Sequence, residues 1–274
     1  MTNSVITNAS ALIALQNLNA TTQKLAATQG RVNTGLKVQG AKDNAATWAI
    51  AQNQRSDMSA LESVKTSLNR ATSVADVALA AGQQISDILV EIRQKATAAA
   101  DPSASAATRK AFDDEFQALL LSLESFAKNA SFDGENILDG SSAVALDFLA
   151  NADASETISM NRQNLTLAGL ALNGLDLTTA ATAATALTAV ETALTDANAK
   201  LAELGAQAKQ IEKHTIFVGK LMDSLETGVG NLVDADMARE SARLQALQVQ
   251  QQLGAQALSI ANQAPQIILS LFKG

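Results

Sequence analysis

One stretch of the sequence comes within a residue of a phosphate-binding loop. Gly30-Arg31-Val32-Asn33-Thr34-Gly35-Leu36-Lys37 has the two spaced glycines of such a loop, but Lys37 stands one position late and no Ser or Thr follows it. A helical pattern, not a strand, runs up to it. With Gly40 close behind, these glycines read as a hinge or irregular connector. Asp234-x-Asp236 begins like a calcium loop, but the pattern stops there, and the pair reads as helix-surface carboxylates. His214 is the single His, between Lys213 and Thr215, with no nucleophile or acid spaced to work with it. It reads as a solvated or interface side chain. There is no Cys and no Tyr, and no His-Glu-x-x-His. The residues therefore predict no catalytic site, no metal site and no cofactor.

The composition points the same way. Of 274 residues 47% are hydrophobic but 3% are aromatic, so the apolar content is mostly Ala, Leu, Val and Ile. Two prolines and 14 glycines leave room for long helices. A net charge of −7 argues against nucleic acid as a partner, because phosphate binding needs a basic surface. No apolar run is long enough to span a bilayer, so no membrane insertion is expected. Met1 to Ser10 lacks a basic start and a cleavage site, and a cleavable secretory signal is not expected either.

The elements that carry this chain are helices in heptad register. From Leu61, steps of three and four land on Val64, Leu68, Ala71, Ala75, Ala78, Gly82, Ile85, Leu89, Ile92, Ala96 and Ala99. That seam spans roughly 60 Å at about 1.5 Å per residue. A second series runs Leu187, Val190, Leu194, Ala197, Leu201, Leu204, Ala208, Ile211, Thr215, Val218, Met222, Leu225, Val229 and Leu232. A third helix is expected over 104–129, after the Asp101-Pro102-Ser103 break, with Phe112, Phe116, Leu119, Leu120, Leu123 and Phe126 as its apolar positions. Between 131 and 179 the pattern becomes turn signals, Asp133-Gly134 and Asp139-Gly140, and short alternations at Val144, Leu146 and Phe148, at Leu165 and Leu167, and at Leu170, Leu172 and Leu175. These read as short strands or hairpins. Thr178 to Thr188 reads as a linker or a helix start. Trp48, the only Trp, reads as a packing anchor. The expected fold is mainly α: a long antiparallel coiled-coil bundle with a small β-hairpin region.

The two ends differ from the middle. Residues 1–41 hold Lys24, Arg31 and Lys37 and no acid, and beyond Leu244 the only charge is Lys273. The final helix carries amides on its polar face, among them Gln245, Gln248, Gln252 and Gln256, where an ordinary surface helix carries charges. Its apolar stripe, Leu244, Leu247, Leu253, Ala257, Leu258, Ile260, Ile267 and Leu271, is wider than one partner helix can cover. A helix of this kind suits enclosure by protein on several sides.

The residues resemble bacterial flagellins. The resemblance rests on Ala11-Leu12-Ile13-Ala14-Leu15-Gln16-Asn17-Leu18-Asn19, on Arg31 to Val38 with Ala41 to Ala46, on Asn231 to Glu240, and on Ala261 to Leu271. It implies an organisation with residues 1–43 and 233–274 as the two halves of an inner coiled-coil domain. Residues 44–130 and 180–232 would be shaft helices, and 131–179 a hairpin region too short for large outer domains. It implies self-assembly through the terminal positions Leu12, Leu15, Leu18, Leu25, Val32, Leu244, Leu247, Leu253, Ala257, Leu258, Ile260, Ile267 and Leu271. The shaft seam would be Leu61, Val64, Leu68, Ile85, Leu89 and Ile92 with Leu194, Leu201, Leu204 and Ile211. The implied function is a non-enzymatic filament subunit for swimming, outside the cell. Its implied partners are itself or sibling flagellins, the flagellar export apparatus, a secretion chaperone, and cap and hook-associated proteins. Many flagellins are sensed by an animal innate receptor through a shaft surface centred on an Arg with a Leu four residues on. Placed by Ile88-Leu89-x-x-Ile92-Arg93, those positions are here Glu91 and Lys95, with Glu115 as the acidic member. Two other readings stand beside this one: a hook–filament junction protein, and a coiled-coil signalling module.

Overall fold

The structure is a computed structural model that describes residues 7–271, and side chains through residue 263. It forms two compact units, one of residues 57–223 and one of residues 1–56 with 224–274. Among the described residues five helices and four short strands follow in order: α1 Ala9–Thr34, α2 Ala45–Ala100, α3 Ala106–Asn129, β1 Ser131–Phe132, β2 Glu135–Asn136, β3 Leu146–Leu149, β4 Thr157–Met160, α4 Ala180–Val233 and α5 Met237–Leu271. The expectation of a mainly helical chain with a small hairpin region holds. No helix among the described residues is long and apolar enough to cross a membrane.

In the 57–223 unit, α2 and α4 run antiparallel. Ser86 Oγ donates to Asn198 Oδ1 (3.0 Å), and Arg93 pairs with Glu191 (3.1 Å). Every member of the α2 heptad series, from Leu61 to Ala99, is buried. On α4, every seventh residue is buried: Ala183, Val190, Ala197, Leu204, Ile211 and Val218. Its neighbours Leu187, Leu194 and Leu201 are half-buried along one flank. The opposite flank carries Lys200, Gln207 and His214, also seven apart. Each holds backbone of the hairpin segment: Lys200 Nζ donates to Asn164 O (2.9 Å), Gln207 Oε1 accepts from Asn161 N (3.0 Å), and His214 Nε2 meets Ala150 O at 2.6 Å. His214 thus belongs to the docking of this segment.

Helix α2 stops where Pro102 disfavours a helical Asp101, and Asp101 Oδ1 closes the turn by accepting from Ser103 N (2.8 Å). Ser105 caps α3, its side chain accepting from Thr108 N (3.1 Å). Phe116, Leu120, Leu123 and Ala127 are the buried face of α3, whereas Phe126 is 41% exposed. Asp133 (φ 52°) and Gly134 (φ 79°) take the left-handed conformations of a tight hairpin between β1 and β2. Strand β3 pairs antiparallel with β4, Leu146 opposite Met160.

The hairpin segment differs from expectation in detail. Val144 lies outside β3, and 161–178 forms turns and irregular chain instead of strands. Leu165, Leu170 and Leu172 are buried among these turns, with Leu165 N donating to Leu138 O (2.9 Å) and Leu172 N to Leu167 O (2.9 Å), whereas Leu167 and Leu175 are half-buried. Strand β4 has only two buried residues, Ile158 and Met160, and too weak a pattern to read. The Ala/Thr run from Thr178 is a helix start. Thr179 and Thr182 cap it reciprocally, each backbone N–H reaching the other's hydroxyl at 3.1 Å.

In the other unit, α1 and α5 pair antiparallel, and the connector joins them. Gly35 (φ 73°) ends α1, its N–H donating to Arg31 O at 2.9 Å. Leu36 bridges Asp234, Lys37 N donates to Val233 O (2.7 Å), and Ala235 N donates to Gly35 O (2.8 Å). The near-phosphate loop is therefore closed by the chain's own backbone.

Candidate assembly surface

The site this chain builds is a surface of helices and not a cleft of catalytic groups. Among the described residues no cluster of His, Cys, Asp and Glu could hold a metal ion. Asp236 Oδ1 accepts from Ala238 N and Arg239 N (3.1 Å each), which makes it the N-cap of α5.

The antiparallel register of α1 and α5 is fixed by four contacts. Asn8 Nδ2 donates to Ala261 O (2.7 Å), Leu18 packs on Gly254 with Cδ1 3.3 Å from where its Cβ would be, Gln251 Nε2 donates to Thr22 Oγ1 (3.4 Å), and Arg31 pairs with Glu240 (3.5 Å). The least exposed residues then fall in heptads. On α1 they are Ala11, Ala14, Leu18, Thr21, Leu25, Thr28 and Val32, and on α5 Glu240, Leu244, Leu247, Gln251, Gly254, Leu258 and Ala261. One layer of this register sets a large residue against a small one, Leu18 on Gly254.

Of the terminal positions in the sequence reading, the structure brings Leu18, Leu25, Val32, Leu244, Leu247 and Leu258 into this seam. It leaves Leu12 (58% exposed), Leu15, Leu253 (60%), Ala257 and Ile260 (65%) pointing away from it. Ile13 and Val249 are exposed beside them. The side chains of Ile267 and Leu271 lie outside the described residues. The seam's Thr21, Thr28, Gln251 and Gly254 escape a reading that follows large apolar residues. The signal that finds them is spacing alone. Glu240 is buried at 8% exposure, held by Arg31 and Arg243 on one oxygen, while Oε2 has no hydrogen-bond partner.

In the 57–223 unit the seam residues Leu61, Val64, Leu68, Ile85, Leu89, Ile92, Leu204 and Ile211 are buried, and Leu194 and Leu201 half-buried. Glu91 is exposed on α2. Lys95 forms an ion pair with Glu115 across α2 and α3. Trp48 is half-buried.

Residues 5–143 match the model of the bacterial flagellin N-terminal helical region, and residues 187–272 that of the C-terminal helical region. The chain belongs to the bacterial flagellin family. Flagellins FljK and FljM of Caulobacter vibrioides are each 50% identical over 272 residues, covering 99% of both chains. A flagellin of Brucella melitensis is 39% identical over 285 residues, again covering 99% of both. This flagellin is of a short type, matched along its full length by relatives of similar size, and it is a structural subunit of the flagellar filament. Its fold is similar to that of Bacillus cereus flagellin (TM-score 0.50, 24% identity, covering 55% of this chain and 87% of that one). It also matches a protein described as a flagellar hook-associated protein of Vibrio parahaemolyticus (TM-score 0.60, 11% identity, 70% and 100% covered). At those identities the likeness is one of fold alone. The full-length relatives at 50% identity are flagellins.

Proposed function

We propose that this flagellin polymerises by burying the outward residues of α1 and α5 between neighbouring subunits, and that it has no catalytic role. One observation carries the reading. Leu12, Ile13, Leu15, Val249, Leu253 and Ile260 are large, apolar and exposed on two helices, outside the heptad seam that those helices share. Exposed apolar surface of this extent marks an interaction site. From Leu244 to Asn262 no charged residue intervenes, so a neighbour can cover α5 without stripping water from an ion. In this reading residues 1–43 and 233–274 form the inner coiled coil, 44–130 with 180–232 the shaft, and 131–179 the hairpin region. The subunit leaves the cell through the flagellar export apparatus with a chaperone. It meets cap and hook-associated proteins at the filament ends, and it serves swimming.

The test is Ile260→Asp. A carboxylate buried without a partner typically costs several kcal/mol, and in a polymer the penalty recurs at each subunit added. In the monomer Ile260 is 65% exposed, so the same change should leave helix content and melting near the parent's. The variant should stay in the supernatant under conditions that sediment the parent and Glu203→Gln. Pelleting like the parent would mean that this face of α5 is not buried between subunits. A monomer that unfolds would place Ile260 in an intramolecular core.

A further inference from the structure

The α1·α5 pair is two-sided, and the cause lies in its seam. Ala14, Thr21, Gly254 and Ala261 are the seam residues that line one edge towards the Asn8–Ala261 end of the pair, and all are small. Small side chains there leave an open groove of about 610 Å³ between the helices. Its walls are Ile13, Asn17 and Ala20 from α1 and Leu253 and Ala257 from α5. The single charge on its lining is Lys24. A dry pocket of about 150 Å³ already admits a benzene-sized group, so this groove has room for several aliphatic side chains. Leu12 and Leu15 line no part of it. In the heptad frame they lie on the other edge of α1, one step outside Ala11 and Leu18, and they stand proud as exposed aliphatic knobs three residues apart.

We infer that assembly seats Leu12 and Leu15 of one copy in the α1·α5 groove of the next copy. This rests on the filament reading above and adds to it which face meets which. The occupant is a second copy of this chain because a filament places copies side by side and the chain itself carries the complementary knobs. Two anchors spaced along one helix face are how a helix commonly fills such a groove. Pairing groove with groove would leave unfilled space and forfeit the contacts of its lining. Neither face carries an acid, and the groove's one cation sits at its edge, so no ion pair selects or forbids the match. A knob face and a groove face on opposite edges make a heterologous contact, the kind that leaves one free face of each type and so propagates into an open polymer.

The chain has no Cys, so an introduced pair reports alone. Leu15→Cys and Ala257→Cys monomers, mixed, polymerised under reducing conditions and then oxidised, should give a covalent dimer holding one of each. Either variant polymerised alone should stay monomeric on a non-reducing gel. A chain carrying both changes should give a ladder of covalent oligomers. Leu12→Cys with Ala20→Cys is the second pair. Leu12→Asp with Leu15→Asp should abolish pelleting while the monomer melts like the parent. Polymer that forms without cross-links from either pair, dimers from Leu15→Cys alone, or normal pelleting of the double Asp variant overturns the inference and leaves the filament reading intact. Failure of the parent to polymerise at all would instead count against that reading.

Discussion

Gly82 of α2 faces Leu201 of α4 so closely that a Cβ on Gly82 would overlap Leu201 Cδ2. The glycine is there for proximity, since it lies mid-helix where the residue type is otherwise unfavourable. Gly82→Ala gains about 1 kcal/mol of helix propensity and loses about 1–3 kcal/mol to overpacking. The expected outcome is a lower thermal midpoint, with Leu201→Ala in the same chain recovering part of the loss. A double-mutant cycle by thermal denaturation measures that coupling. Additive effects would show that the two residues do not share the space.

Lys200 holds the hairpin segment. Its ammonium donates to Asn164 O and Gly169 O and pairs with Asp196. Lys200→Met keeps the stem and deletes the donors, which leaves carbonyls short of partners at a cost of about 1–3 kcal/mol. Hydrogen exchange should show the loss concentrated in the 161–170 segment, with the α2 seam protected as before.

Acid should loosen the turns before it loosens the helical seam. The Thr178 hydroxyl and backbone N–H beside Asp176 hold its carboxyl below the ordinary value of 3.8. At Glu124 burial pushes the pKa up, but hydrogen bonds from Leu167 N and Lys128 outweigh it and hold it below 4.5. For a lowered carboxylate the stabilisation is fully present above the unfolded value and disappears as pH falls through the folded one. Melting curves of the parent and of Glu124→Gln should therefore differ by a constant amount from pH 5 to 8. They should converge as the pH drops below 4.5. A gap that widens in acid would reverse the sign.

Receptor sensing should be weak. In the placement by Ile88-Leu89-x-x-Ile92-Arg93 the receptor-contacting Arg position falls on Glu91, which is exposed, and Lys95 is committed to Glu115. A reversed charge at a recognition centre removes the pairing and adds repulsion. Glu91→Arg with Lys95→Leu restores the cation and releases Glu115. The expected result is a higher response from receptor-bearing reporter cells to the double variant than to the parent. A strong response to the parent monomer would overturn the reading.

Much of this protein is written in its spacing. Seven-residue intervals from Leu61 to Ala99 determine the α2 seam, because a helix in that register can turn only one stripe toward a partner. The scarcity of charge beyond Leu244 likewise sets α5 apart from an ordinary surface helix. Turn residues such as Asp133-Gly134 locate a hairpin by conformational preference alone. What spacing could not do was separate Leu18 from Leu12 and Leu15, or Leu258 from Leu253 and Ile260. All are aliphatic residues on short amphipathic intervals, and more than one stripe fits them. The choice depends on which partner atoms lie opposite, such as Gly254 against Leu18, and that is a property of the paired register. The strands expected at Leu165 and Leu167 and at Leu170, Leu172 and Leu175 failed to form for a related reason. Burial in irregular chain comes from turns pinned by particular hydrogen bonds, Leu165 N to Leu138 O among them, and no local period encodes those. His214, Lys200 and Gln207 look unrelated in the sequence. Only the docked hairpin segment, by bringing three backbone groups to one flank of α4, turns them into a set.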